Sequence, residues 1–488
     1  MWVWDSTSEL QTLNWGKAVM KILHLSDIHM GGGFAHGKID PETGLNTRFQ
    51  DFVKSLTKAI DRALSEPVDL VLFGGDAFPD ATPAPYIQQA FAAQFYRLVP
   101  ANIPLVLLVG NHDRHSQGQG GASLSIYRSL GVPGTTVGDA IETHTINTRS
   151  GAIQIITLPW IDRSTLLTRE IAENLSILEV NQLLLDRLQP RLEGEIRKLN
   201  PDLPTIVLAH LMADNATLGA EKFLAVGKGF TIPLSFLTRS CFDYVALGHV
   251  HRHQNLNKTN DPAVVYPGSI ERVDFSEEKE DKGYVMVTIE PTQQPASKSF
   301  ETTWEFCPLP VRTFRTIKID VSKSEQPQLD ILAAIDKVEI ADVVVRLIYQ
   351  LSPDRVELIS TATLHEALST AHHYTIQAEL ISQLSQPRLP ELGCSVGDPM
   401  VALSTYLDNR PDLQDIATAM IAAANELLSG DNLGVASNRV LLDSESSLDP
   451  IDLSPSVEQS SPLDNSALDK SSPKPTKSKN TDGQLTLL

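Results

Sequence analysis

The sequence predicts an α/β protein built on a largely parallel sheet whose working edge lies at the carboxyl ends of its strands. Short apolar runs, LVLF at 70–73 and LVLLV at 105–109, are too short for independent helices and read as strands buried on both faces. Stretches with helical spacing separate these runs, and the order strand, helix, strand, helix, strand lays strands parallel. The runs end at polar residues, often after glycine, at the edge where such sheets hold ligands.

Residues 21–25, KILHL, form the first strand and release Asp27 and His29. In extended backbone, residues i and i+2 share a side, so this pair can grip one ion. His24 has the opposite parity to Asp27 and belongs in the core. After the glycines at 31–33, residues 45–64 show helical spacing at Phe49, Phe52, Val53, Leu56 and Ile60. The second strand, 70–73, is followed by Gly74-Gly75-Asp76. A helix is expected over 87–98, leading into the third strand at 105–109. There Gly110 permits a sharp turn that presents Asn111, His112 and Asp113 in succession. An amide oxygen can bind a hard cation, an imidazole can move a proton, and a carboxylate can hold that imidazole in one tautomer. Taken alone, the triplet also fits a plain polar turn with an Asx bond.

Residues 114–121 suit a mobile substrate rim or a simple connector. A strand at 153–158 and a helical region at 171–199, with Pro190 as a break or kink, come next. The strand at 205–209 delivers His210, and the strand at 244–247 delivers His249 and His251. Strands at 264–266 and 284–289 are expected to complete a second sheet, with Pro267-Gly268-Ser269 turning beside the site. From about residue 311 the pattern reads strand, helix, strand, helix, strand, a compact second domain. His365, His372 and His373 lie on or beside its second helix with no carboxylate at ligand spacing, so they read as surface residues. Residues 399–428 look like two helices. Their stripe of Ile416, Met420, Ile421, Ala424 and Leu427 fits either a domain core or a docking face. After Gly430 the chain is polar and aperiodic, which predicts a disordered tail.

At 488 residues the chain has room for two or three domains, and 42% hydrophobic with 20% charged residues fits a folded enzyme. No apolar run is long enough to cross a bilayer. Cys241, Cys307 and Cys394 lack metal-finger spacing and read as reduced, which with the absence of a signal-peptide pattern predicts a cytoplasmic setting. Met20 reads as the structural start. The 60 acidic and 40 basic residues give a net charge of −20, which argues against a nonspecific nucleic-acid coat. A metal-dependent nuclease remains compatible, because ions supply local positive charge.

Asp27, His29, Asp76, Asn111, His112, His210, His249 and His251 thus gather at strand ends. Carboxylate, imidazole and amide donors without thiolate suit manganese, iron or zinc rather than calcium. The donors are too many for one ion. A carboxylate bridging two ions resolves the count, and such a pair activates water for in-line phosphoryl displacement. In this order the blocks Asp27-Ile28-His29, Gly75-Asp76, Gly110-Asn111-His112-Asp113, His210 and Gly248-His249-Val250-His251 resemble the calcineurin-like metallophosphoesterase superfamily. Lys21-Ile22-Leu23-His24-Leu25-Ser26-Asp27 and Gly268-Ser269 further resemble the SbcD-type exonuclease subunits, the bacterial counterpart of the meiotic-recombination DNA nuclease, over roughly residues 20 to 430.

The resemblance implies a four-layer αββα metallophosphoesterase sandwich, followed by a small α+β capping domain and C-terminal helices. The implied divisions are an N-terminal extension expected to be disordered (1–19), a nuclease domain (20–310), a DNA-capping domain (311–390), a partner-docking segment (391–430) and the tail (431–488). Two manganese ions are implied, one taking Asp27, His29, Asp76 and His251 and the other Asp76, Asn111, His210 and His249. His112 would stay off the ions and serve proton transfer or charge stabilisation, with Asp113 orienting its ring. The implied partners are DNA and an SbcC-type ABC ATPase with a coiled coil, the subunit acting as a dimer within a heterotetramer in DNA repair, recombination and replication. Some relatives carry a histidine shortly after the bridging aspartate; Ala77-Phe78-Pro79-Asp80 has none. Two other readings use the same residues: a small-molecule or cyclic-nucleotide phosphodiesterase, and a non-catalytic DNA-repair scaffold.

Overall fold

The apolar strand residues divide by parity, and that division sets the layers. In the computed structural model, residues 19–115, 121–161, 177–217, 219, 231–292, 299–381, 399–408, 410 and 413–428 are described. The strands are β1 (Met20–Leu25), β2 (Leu70–Phe73), β3 (Leu105–Leu108), β4 (Thr135–Gly138), β5 (Glu142–Thr148), β6 (Gly151–Leu158) and β7 (Thr205–His210). They continue as β8 (Met212–Ala213), β9 (Thr231–Ile232), β10 (Tyr244–Gly248), β11 (Gln254–Asn255), β12 (Ala263–Tyr266), β13 (Gly283–Pro291) and β14 (Phe300–Pro308). One sheet has the order β14-β13-β1-β2-β3-β4, the other β11-β12-β10-β7-β6-β5, and β8 and β9 form a separate ribbon. β1 to β4 are parallel, as are β6, β7, β10 and β12.

Ile22, Leu70, Leu72, Val106 and Leu108 of the first sheet meet Ile153, Ile155, Ile206, Leu208, Ala246 and Val265 of the second in one core between the sheets. The alternate residues, Leu23, Val71, Phe73 and Leu107, pack outward with Phe49, Phe52, Leu56 and Ile60 of α1 (Thr47–Ser65) and Phe91 of α2 (Pro85–Tyr96). On the far side, Val207, Val245 and Val264 pack with Val180, Leu184 and Leu188 of α3 (Ile177–Ile196). The result is helix, sheet, sheet, helix, an α/β sandwich. α1 starts where the Asn46 side chain accepts the Arg48 N–H at 2.9 Å, a capping bond that satisfies one of the open N-terminal donors.

Several expectations need correction. Of the two strands assigned to the second sheet, β12 lies there, whereas β13 pairs antiparallel with β1, Met20 opposite Ile289. That placement puts Val285, Val287 and Ile289 into the core between the sheets. α3 runs through Pro190 without ending there; its expected beginning falls outside the described residues. β4, β5 and β14 carry no clear strand signature in the sequence, being short, polar or half-exposed.

The next module is a parallel sheet of β15 (Phe314–Asp320), β16 (Val344–Leu351) and β17 (His373–Leu380), in that order, with α4 (Pro327–Asp336) and α5 (Thr361–Ala367) packed in its own core. Arg312 fastens it to α1. Its Nε and Nη2 donate to the two Asp51 carboxylate oxygens at 2.6 and 2.7 Å, and its Nη1 to Asp342 Oδ1 at 2.6 Å. The forked guanidinium is suited to such two-point pairing. His372 is not a surface residue: it is buried, with Nε2 2.8 Å from Thr47 Oγ1 and Nδ1 3.2 Å from Asp342 Oδ1. His365 is exposed and His373 half-buried.

The chain divides after Gln383. In the second unit, α6 (Pro399–Asp408) and α7 (Gln414–Leu428) pack on each other, with Ile416 and Met420 of α7 exposed. The expected N-terminal extension and tail fall on residues outside the described ones, apart from Val19. Among the described residues, no helix is long and apolar enough to cross a membrane.

Candidate metal centre

Parallel strands in both sheets end at one edge, and the turns there carry the chemistry. Asp27 and His29 follow β1, Asp76 follows β2, Asn111 to Asp113 follow β3, His210 ends β7, and His249 and His251 follow β10. The backbone here is not extended as expected. Asp27, His29, Asp76 and His249 have φ of 52°, 45°, 59° and 103°, left-handed values that cost non-glycine residues about 1–3 kcal/mol each and persist only where surroundings fix them. The Asp27 and His29 N–H groups donate to Gly75 O and Asp76 O at 2.9 and 3.0 Å, locking the first two turns together. Close approach requires glycine at 75, where a Cβ would lie 2.5 Å from His210 Nδ1.

All seven expected ligands converge. Asp27, His29 and His251 form one group whose donor atoms lie within 4.8 Å of one another, and Asp76, His210 and His249 form another. Asp76 Oδ2 lies 3.3 Å from His210 Nε2 and 3.7 Å from His29 Nε2, so it faces both. Asn111 Oδ1 is 3.0 Å from His210 Nε2 and 2.9 Å from His249 Nδ1. His210 Nδ1 donates to Gly74 O at 2.7 Å, which turns its Nε2 inward. Trp160 lies over the His249 ring, centroids 4.8 Å apart.

His112 and Asp113 sit differently from expectation. The His112 ring is oriented by Pro79, whose carbonyl oxygen is 2.7 Å from Nδ1, and not by Asp113. Asp113 is fully buried, and its carboxylate accepts the backbone N–H groups of Gly110 and Asp76 at 2.9 Å and Ala77 at 3.0 Å. It therefore ties the Asp76 turn to the Asn111 turn. His112 Nε2 and Nδ1 are the only ring donors or acceptors, so the Pro79 bond leaves Nε2 as the available nitrogen. One grouping of close donor atoms includes His29, Asp76 and His112. The Pro79 carbonyl had no sequence signature, being backbone. Glu277, whose Oε1 lies 2.6 Å from His251 Nδ1, was also missed; it sits among ordinary surface-like acids in SEEKED.

The protein's own charges leave the centre electrostatically uneven. Burial, then the neighbouring His210, pushes the His249 imidazole down to about 3. Burial also opposes a charge on His210, but Asp76 and Asp27 outweigh it and lift that ring to about 9. Burial opposes the charge on Asp76 as well, yet His210, His29 and His112 hold its carboxyl well below the usual range. Burial raises Asp27, and burial together with Asp76 lifts Asp113 to about 7.

The donor set fits divalent cations. His29 Nε2 and His251 Nε2 face each other at 3.0 Å. Since His251 Nδ1 points at a carboxylate and carries the proton, its Nε2 lone pair is aimed at the centre. Two inward imidazoles beside the Asp27 and Asp76 carboxylates offer the ligand chemistry of borderline first-row ions.

Residues 20–253 match the calcineurin-like phosphoesterase family. A curated relative from Rhodobacter capsulatus, the D component of the SbcCD nuclease, is 26% identical over 340 residues, covering 66% of this chain and 77% of that protein. Among solved structures, a Thermus thermophilus protein aligns at 16% identity and TM-score 0.31, over 59% of this chain and 99% of the other. A dimetal phosphatase from Danio rerio aligns at 14% identity and TM-score 0.34, again over 59% and 99%.

Proposed function

We propose, from the premise that this chain carries a calcineurin-like phosphoesterase domain over residues 20–253 and is a metal-dependent phosphoesterase, that it is the nuclease subunit of an SbcCD-type complex. Its substrate would be DNA and its partner an SbcC-type ATPase. The observation that carries the reading is the position of Asp76, which faces both donor groups. A carboxylate so placed can bridge two ions, with Asp27, His29 and His251 completing one site and Asn111, His210 and His249 the other. Bound ions, most simply manganese, would supply an activated water and neutralise charge on the phosphodiester. The chain's own contribution is orientation. Gly74 O and Glu277 aim two imidazoles, Asp113 clamps the two turns, and the Pro79 bond leaves Nε2 of His112 to serve the leaving oxygen, to which its imidazolium form would donate the Nε2 proton and become the neutral Nδ1–H ring.

The three-stranded module is read as a DNA-capping domain, because a small diester needs no second domain clamped to the first through Arg312. The α6–α7 pair, with Ile416 and Met420 exposed, is read as the ATPase dock.

The test is cleavage of end-labelled linear duplex with Mn2+, with and without the ATPase partner. Cleavage of a nucleotide diester but not of DNA would replace the nuclease reading with a small-molecule phosphodiesterase. Deleting residues 399–428 should abolish co-purification with the ATPase while sparing intrinsic cleavage; retained co-purification would return that stripe to a core role.

A further inference from the structure

Beside the centre, outside the ligand set, lies a buried carboxylate with an unusual set of partners. Glu277 is 1% exposed. Its Oε1 faces His251 Nδ1 at 2.6 Å, while its Oε2 accepts the Val273 N–H at 2.9 Å and meets Lys282 Nζ at 3.0 Å. Lys282, also buried, donates to the His251 carbonyl oxygen at 3.1 Å and to Glu280 at 2.8 Å. His251 is thus held twice, by its ring through Glu277 and by its backbone through Lys282.

We propose that Glu277 is a positioning residue that fixes the His251 ring with Nε2 toward the centre, where it can ligate an ion. The inference rests on the two-ion reading above and adds a residue that acts through His251. A plain structural role for the Glu277–Lys282 pair does not account for the geometry. Lys282 already has Glu280 and the His251 carbonyl, so Glu277 is not required merely to satisfy it. The 2.6 Å approach to Nδ1 assigns the proton to that nitrogen and directs the Nε2 lone pair at His29 across 3.0 Å.

The segment carrying Glu277 is itself held. Phe275 packs edge-on against Phe314 with centroids 5.0 Å apart, and the Arg346 guanidinium lies 4.4 Å from the Phe275 ring centre. Arg272 donates from Nη1 to Arg312 O at 2.9 Å and from Nη2 to Glu280 O at 2.7 Å, and Glu278 accepts the Thr316 N–H at 3.0 Å. The three-stranded module therefore keeps the carboxylate from swinging away from His251.

The experiment is Mn2+ titration of the full chain by calorimetry, with electron paramagnetic resonance to distinguish a spin-coupled pair from a single ion. Wild type is compared with Glu277→Gln and Glu277→Asp. Both variants should weaken one of the two ions by about 10- to 100-fold, the loss expected when the partner of a ligating histidine is removed. The other ion should bind as in wild type, and the coupled signal should give way to that of a single ion. Glu277→Asp keeps a negative charge facing Lys282 but shortens the reach to Nδ1, and the metal-free melting temperature of each variant reads the cost to folding separately from the selective loss of one ion. Unchanged affinity for both ions in Glu277→Asp, or equal weakening of both, would overturn the proposal. Failure of wild type to bind Mn2+ would instead remove the two-ion reading and this inference with it.

Discussion

Replacing His112 by leucine separates proton transfer from metal binding, because the structure fixes which ring nitrogen is available. Nδ1 is committed to the Pro79 carbonyl oxygen at 2.7 Å, which leaves Nε2 available on a ring whose centroid lies 5.0 Å from that of His29. If Nε2 serves the leaving oxygen, His112→Leu should leave both ions bound and lower single-turnover cleavage by roughly 10² to 10⁴, or about 2.7 to 5.5 kcal/mol of barrier. Stability should hardly respond. The lost bond joins two partly exposed residues, a contribution of about 1 kcal/mol, which a modest shift in melting temperature would register. Mn2+ calorimetry beside single-turnover cleavage of a labelled duplex is the assay. The grouping of His29, Asp76 and His112 donor atoms supplies the competing outcome: loss of one ion in His112→Leu would make the ring a ligand and refute the assignment. A rate drop below tenfold with both ions bound would refute it equally.

Asp76→Asn should reduce Mn2+ occupancy at both positions, whereas Asn111→Ala removes an oxygen that faces His210 and His249 and should weaken one; equal occupancy in calorimetry would sink the bridge. Asp113→Asn should lower stability by about 2–3 kcal/mol and weaken metal binding, because an amide cannot accept all three backbone N–H groups that the carboxylate takes; urea unfolding at full stability with a selective rate loss would restore the role of ring orienter. Burial holds the His24 imidazole down to about 3, against an unfolded value near 6.5. The unfolded chain therefore takes up a proton that the fold refuses, so stability from this site is complete above pH 6.5 and falls on acidification by about 3 kcal/mol between pH 7 and 4.5. His24→Gln should flatten that slope in urea unfolding at the two pH values, and an unchanged slope would show that His24 does not titrate in the unfolding transition.

What the sequence made legible was local. A run such as LVLF must be buried on both faces, and its parity then divides Leu70 and Leu72 from Val71 and Phe73 without any knowledge of partners. Glycine followed by a polar residue at a strand end marks a ligand turn for the same reason, since the sheet edge is where the backbone must change direction. Two of the corrections concern partners distant in sequence. The sequence does not assign β13 to its sheet, because Val285, Val287 and Ile289 alternate as they would in either, and only pairing with β1 decides. Adjacency suggested that Asp113 holds His112, yet consecutive residues in a tight turn point apart. Asp113 turns to the backbone of Asp76, 37 residues away, while the ring finds Pro79 O, 33 residues away.

This asymmetry has a chemical cause. A metal ligand must be a particular side chain, so it leaves its letter in the sequence. The group that orients a ligand need only present an oxygen at the right distance, and Gly74 O, Pro79 O and Glu277 do so with no shared residue type. Four of the ligand positions adopt left-handed backbone that a reading of extended strands does not anticipate. Such strain survives only where neighbours overdetermine it: Gly75 O and Asp76 O accept the Asp27 and His29 N–H groups, the Asp113 carboxylate accepts that of Asp76, and the Asp27 carboxylate accepts that of His249. The turns are therefore held by the protein's own hydrogen bonds, and the protein's share of the chemistry is to keep several nitrogens and carboxylate oxygens close together against their preference to separate.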